Sequence, residues 1–249
     1  MIVGSAIYVD GKRTAEPPSL RETYEACRQR RGLAWIGLYR PTEEEFSSVA
    51  KEFGLHELAV EDAIKAHQRP KLERYGDTLF VVLRAARYID ESETVEFGEI
   101  HVFVGTDFVV TVRHGEAPHL REVRSQMEGQ PELLRRGPAA ILYPIMDRVV
   151  DDYEPVVAGL QNDIDEIETE VFSGNAGVSR RIYELSREVI EFQRAVQPLP
   201  GMLSALIADF EAYGVDPELS WTLGYPFALM LMLAVSVSLY VVFKRRGWL

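Results

Sequence analysis

The chain has 249 residues, 47% hydrophobic and 27% charged, with a formal net charge of −12. That length and balance suffice for one sizeable core with appendages, and the acidic surplus argues against a nucleic-acid binder, which neutralises phosphates with clustered Lys and Arg. The single cysteine, Cys27, excludes an internal disulfide and points to a reducing compartment for the folded part.

At the start, Met1 to Val9 is an apolar run too short for a signal peptide and without a basic beginning. Leu33-Ala-Trp-Ile-Gly-Leu38 reads as a buried strand. Pro41-Thr42-Glu43-Glu44-Glu45 then opens a helix, with Thr42 as N-cap and Glu45 three residues on completing a capping box. Thr78 to Tyr88 is a second apolar strand. Ile100 to Val104 and Phe108 to Val112 flank Gly105-Thr106-Asp107 and form a hairpin. Strands interleaved with helices over residues 1–137 predict a layered α/β domain whose strand order the sequence does not fix.

From Pro138 the period changes. Ile141, Ile145, Val149, Tyr153, Val156, Leu160, Ile164, Ile167 and Val171 recur at three- and four-residue steps, one face of a long helix. Ser173-Gly174-Asn175-Ala176-Gly177 stops it, and the helical pattern resumes from Val178 to about Gln197. Residues 138–212 are thus expected to form an antiparallel helical hairpin. Its first helix is acidic between Asp147 and Glu170, a face suited to solvent or to weak cation binding.

The C-terminus departs from the soluble pattern. No charged residue occurs from Trp221 to Phe243, and Lys244-Arg245-Arg246 follow at once. At about 1.5 Å of rise per residue this stretch crosses a hydrocarbon core of about 30 Å. Trp221, Tyr225, Tyr240 and Trp248 sit near its ends, as interfacial aromatic residues do. The predicted fold class is therefore α+β: an N-terminal α/β layered domain, a long acidic helical hairpin, and one transmembrane helix over 221–243 with a basic tail, 244–249.

Several segments, in order, carry a family resemblance. Leu58-Ala-Val-Glu-Asp-Ala-Ile-Lys-Ala-His-Gln-Arg-Pro-Lys71, Val109-Val-Thr-Val-Arg113, Tyr143-Pro-Ile-Met-Asp-Arg-Val-Val-Asp-Asp-Tyr153 and Ile164-Asp-Glu-Ile-Glu168 resemble segments of the CorA magnesium/cobalt transporter family. Pro217-Glu-Leu, Gly224-Tyr225-Pro226 and the tail Lys244-Arg-Arg-Gly-Trp-Leu249 resemble its outer loop, second span and basic end. The resemblance implies a homopentameric channel in the inner membrane, its N-terminal domain cytoplasmic and bound by lipid at its spans. It also implies transport of Mg2+, and of Co2+, with Mg2+ as regulatory ion. Glu61 and Asp62 match the family's acidic pair at a regulatory metal between subunits, and Asp147 matches a further acidic position nearby. No enzymatic activity and no nucleic-acid partner are implied.

One part of the family pattern is missing. The aromatic-Gly-Met-Asn motif that ends the family's pore-lining span does not occur; Gly201-Met202 runs on to Leu203. Ala195 to Ala212 carries Pro198, Pro200, Asp209 and Glu211 and is read as soluble helix, because buried acids cost about 2.5–3.5 kcal/mol each in a bilayer. One crossing would also place the basic tail and the N-terminal domain on opposite sides. The stalk helix and first span are therefore expected to be absent between about Gly214 and Ser220, leaving a chain that does not conduct alone. A zinc-transporting relative and a tail-anchored cation-binding protein are the alternatives. Arg113-His114-Gly115-Glu116 offers a histidine-phosphatase reading, with His114 as nucleophile and Arg113 as phosphate clamp. Its place at the exit of a hairpin strand, mid-chain, counts against that. His67, in Ala66-His67-Gln68-Arg69-Pro70, is expected to shape a turn.

Overall fold

The computed structural model describes residues 1–14, 32–116, 120–173 and 177–212. The predicted transmembrane segment, 221–243, and the basic tail lie outside the described residues. Among those described, no helix is long and apolar enough to cross a membrane.

Seven strands are described: β1 (Ile2–Val9), β2 (Lys12–Arg13), β3 (Leu33–Tyr39), β4 (Lys71–Tyr75), β5 (Thr78–Ile89), β6 (Thr94–Val104) and β7 (Phe108–His114). They form one sheet in the order β2-β1-β3-β7-β6-β5-β4. Strands β4 to β7 are an antiparallel meander, and β6 and β7 are the hairpin expected around Gly105-Thr106-Asp107. The β3–β7 pair is parallel, Ala34 facing Phe108 and Tyr39 facing Arg113. Because the middle strands are covered on both faces, they read as unbroken apolar runs, and this is why β3, β5 and β7 were visible in the sequence.

Alternate side chains assign the two faces. Ala34, Ile36, Leu38, Phe80, Val82, Phe103, Val110 and Val112 point to a core shared with α1 (Glu43–Phe53) and α2 (Glu57–Lys65). Phe46, Val49 and Phe53 of α1 and Ala59 and Ala63 of α2 fill it. Burying side chains the size of Phe46 contributes about 1.5–3 kcal/mol each. The α1 start is the predicted capping box: Glu45 N–H donates to Thr42 Oγ1 at 3.2 Å, and Thr42 N–H donates to Glu45 Oε2 at 3.0 Å. Left-handed Gly54 ends the helix.

The opposite face is covered by α3 (Leu120–Glu128), α4 (Pro131–Leu134), α5 (Ala139–Asp151), α6 (Tyr153–Ser173) and α7 (Val178–Val196). Arg124 of α3 lies over the Trp35 ring at 4.7 Å, on the side of β3 away from Ile36. The one long helix expected after Pro138 is divided at Asp152. Pro155 has no N–H to offer the carbonyl of Asp151, so the hydrogen-bond ladder is interrupted there. Of the periodic residues, Ile141 to Leu160 and Ile167 are buried, but Ile164 and Val171 are 44% and 48% exposed. The inward position goes instead to Asp163, whose Oδ1 accepts a hydrogen bond from Tyr88 Oη at 2.8 Å. Arg181 ties α7 back to α6 through Glu166 at 2.5 Å and Glu170 at 2.7 Å, so part of the acidic face is neutralised.

The compact unit so described is Met1–Met202; residues 203–249 form a second unit, described only to the end of α8 (Leu199–Ala212).

Candidate cation site

Glu61 and Asp62 are consecutive on α2, and both ends of that helix are fastened. At its start His56 is the N-cap, its Nδ1 accepting from Leu58 N–H at 3.3 Å, with its ring stacked on Tyr75 at 4.3 Å. At its end His114 Nε2–H donates to the carbonyl of Ala63 at 2.9 Å. A last-turn carbonyl has no partner within its own helix, so a strand residue supplies one. Burial holds the His114 imidazole below the ordinary histidine range, keeping it neutral.

The chain leaves α2 through two non-glycine residues with positive φ, Ala66 at 54° and His67 at 61°. Such conformations cost free energy and need external support. Gln68 N–H provides it by donating to both oxygens of Glu99, at 3.0 and 3.2 Å. Glu99 is buried, which raises its carboxyl pKa. The hydrogen bond and charge of His101 and the backbone N–H groups of Gln68 and His67 outweigh that and hold it below the usual range. An ionised carboxylate only accepts, so His101 Nε2–H is the donor in their 2.5 Å contact. The predicted turn at His67 is thus anchored from β6 by a buried Glu99–His101 pair, which the sequence reading did not single out. No local pattern reveals it, since residues 68 and 99 meet only through the fold.

The three candidate ligands are placed as follows. Glu61 is exposed and paired with Lys65, one turn on. Asp62 is less exposed, and its Oδ2 accepts from Lys71 Nζ at 2.7 Å. Lys71 also donates to Glu73 at 2.7 Å, and Tyr75 Oη donates to the same carboxylate at 2.9 Å. Asp147 is exposed on α5, beside Arg148, which bonds Glu122 at 2.6 Å and Asp152 at 3.0 Å. The helices α2 and α5 cover opposite faces of the sheet, so within one copy of the chain Asp147 lies apart from the consecutive Glu61 and Asp62.

Among the described residues, no group of three or more His, Cys, Asp or Glu side chains could hold a metal ion. Two adjacent carboxylates fit a different mode, a magnesium ion that keeps most of its waters and is held by one or two acidic groups. The ion would compete with Lys65 and Lys71. The Lys65–Glu61 pair is exposed and worth little, so that competition is light, whereas the Lys71–Asp62 pair is half-buried.

The Arg113–His114 arrangement does not form a phosphatase pocket. His114 faces the end of α2, on the side of β7 opposite Arg113, and spends its Nε2–H on Ala63.

The sequence profile of the CorA-like Mg2+ transporter protein family matches residues 30–216. The chain belongs to that family. Among its CorA-like relatives, YfjQ of Bacillus subtilis is 31% identical over 175 residues, 70% of this chain and 54% of its own length. The chain thus spans about half of that relative. The cobalt/magnesium transport protein CorA of Thermotoga maritima is 22% identical over 293 aligned positions, 86% of this chain and 83% of that protein. In fold, the soluble domain of CorA from Methanocaldococcus jannaschii superposes with a TM-score of 0.63 at 18% identity, covering 82% of this chain and 79% of that one. The ZntB cytoplasmic domain of Vibrio parahaemolyticus gives 0.55 at 13% identity, covering 71% and 70%.

Proposed function

We propose that this chain is the cation-sensing, cytoplasmic portion of a divalent-cation transporter for magnesium and cobalt, held in the inner membrane by 221–243. The observation that carries the reading is the family match over residues 30–216, with two consecutive carboxylates on a helix fastened at both ends. Glu61 and Asp62 of one copy, with Asp147 of a neighbouring copy, form a regulatory site for Mg2+ in a homo-oligomer, a pentamer by family resemblance. Bringing acidic groups together across an interface is unfavourable until a cation fills the gap, so cation loss loosens the assembly.

The chain does not conduct by itself. The Thermotoga alignment runs to 293 positions while using 86% of 249 residues, about 214, so the relative has residues at positions where this chain has none. That supports an absent stalk and first span. A zinc-transporting relative is the second reading, with which the likeness to the ZntB domain is compatible.

The test is thermal unfolding of the full chain in detergent, titrated with MgCl2, CoCl2 or ZnCl2. A ligand bound only by the folded state raises the melting temperature by linkage. Magnesium and cobalt are expected to stabilise the wild type more than Asp62→Ala. Equal responses remove Asp62 from the site, and a response to zinc alone selects the second reading.

A further inference from the structure

Across the sheet from Glu61 and Asp62, an open cleft of about 710 Å³ lies between β1, β3, β7 and α3. Four guanidinium groups line it, from Arg13, Arg113, Arg121 and Arg124, against the carboxylates of Glu122 and Glu128. The chain as a whole has 39 acidic and 27 basic residues, so this excess reverses the average charge. Both carboxylates are already engaged. Glu128 accepts from Tyr8 Oη at 2.8 Å and pairs with Arg13 at 3.3 Å, while Glu122 takes Arg148 at 2.6 Å.

The floor of the cleft is built to hold a guanidinium flat. Arg124 lies over the Trp35 ring and donates to the Trp35 carbonyl at 3.2 Å. A Cβ on Gly4 would stand 2.6 Å from Arg124 Nη1, so glycine is what lets the group lie there. Trp35 also lines the cleft, and its buried indole N–H has no acceptor among the described residues. Leaving such a donor unused is costly. Val3 and Leu120 add an apolar wall.

We propose that this cleft binds a nucleoside polyphosphate, its phosphates on Arg113, Arg121 and Arg124 and its base against Val3 and Leu120. Guanidinium forks match phosphate oxygens with paired, charge-assisted hydrogen bonds. The volume is that of a site for a whole small molecule rather than a single inorganic anion. The ligand is independent of Glu61 and Asp62, which lie on the other face.

Calorimetry of the full chain in detergent, with chelator present to silence the carboxylates, tests this with ATP, tripolyphosphate and micelles carrying phosphatidic acid. ATP is expected to bind, more tightly than tripolyphosphate and more weakly as salt rises. Arg121 is exposed, so Arg121→Gln keeps the fold and should weaken ATP by about tenfold. In a W221F/W248F background ATP should also change the fluorescence of Trp35. No heat with millimolar ATP, unchanged affinity in both Arg121→Gln and Arg113→Gln, equal affinity for tripolyphosphate, or uptake of phosphatidic acid without ATP would each overturn the proposal.

Discussion

His114 closes the last turn of the helix that holds Glu61 and Asp62, and its charge state makes that contact sensitive to acid. Burial depresses its pKa from the ordinary 6.5, so on acidification the unfolded chain takes up a proton before the folded one does. The stability tied to neutral His114 is therefore complete above pH 6.5 and is lost as pH falls from there through the lower folded value. Glu99 acts in the same direction further down: its depressed carboxyl contributes above its ordinary 4.5 and fades below it. Asp163, raised by burial, has the opposite sign and favours the fold as pH falls. His114→Gln keeps a donor for the Ala63 carbonyl and removes the titration. Its melting temperature should stay level between about pH 7 and about pH 5, where the wild type declines. His114→Ala should cost about 1 kcal/mol throughout by freeing the carbonyl. Melts across that range settle it, and parallel curves for wild type and His114→Gln would refute the assignment. In sequence His114 drew attention only through its neighbours Arg113, Gly115 and Glu116. Its partner is 51 residues away and was not legible. The Thr42–Glu45 box was legible because all its parts lie within four residues.

Among the elements, helices α5 to α7 were readable from their apolar period, yet the faces were not read throughout. Asp163 took the inward position that the pattern gave to Ile164, because Tyr88 offers it a hydrogen bond that no period encodes. β4, Lys-Leu-Glu-Arg-Tyr at the sheet edge, carries too little apolar alternation to be seen. Gly159 shows how closely α6 lies on β5. A Cβ there would come within 2.5 Å of the Tyr88 ring. Gly159→Ala must push the ring or the helix aside and should destabilise by about 1–3 kcal/mol. Nothing lies within 4 Å of a Cβ at Gly201, and Gly201→Ala in α8 should be neutral or stabilise by up to about 1 kcal/mol. Urea unfolding of both variants decides; equal midpoints would mean the Tyr88 contact is loose.

For the whole molecule, conduction depends on what surrounds a lumen. Leu229 to Val242 offers Ser236, Ser238 and Tyr240 as its polar side chains, with no carboxylate or amide. A path for a hydrated divalent ion needs polar groups along water, whereas an apolar constriction dewets and closes. Expressed alone in a strain lacking magnesium uptake, the chain should leave growth at low magnesium unrescued where full-length Thermotoga CorA restores it. Rescue at equal membrane abundance would show that the pore is built from this chain after all. The α/β domain and the family were legible because the apolar runs and the Leu58–Lys71 segment are continuous in sequence. The separation of Asp147 from Glu61 and Asp62 was not, since it follows from which face of the sheet each helix covers.

The parallel pairing of β3 with β7 also bears on biosynthesis. Leu33–Tyr39 leaves the ribosome well before Phe108–His114, its partner in the sheet. At about 5–20 residues per second, the roughly 70 residues between them take several seconds to be made. Throughout that interval an apolar strand has one edge unsatisfied, the condition under which nascent chains associate wrongly or recruit chaperones. The meander β4–β7 folds from local hairpins, and only its last strand offers β3 a seat. Stalled nascent chains ending before Phe108 should therefore expose β3 to protease, and chains long enough for β7 to clear the ribosome should protect it.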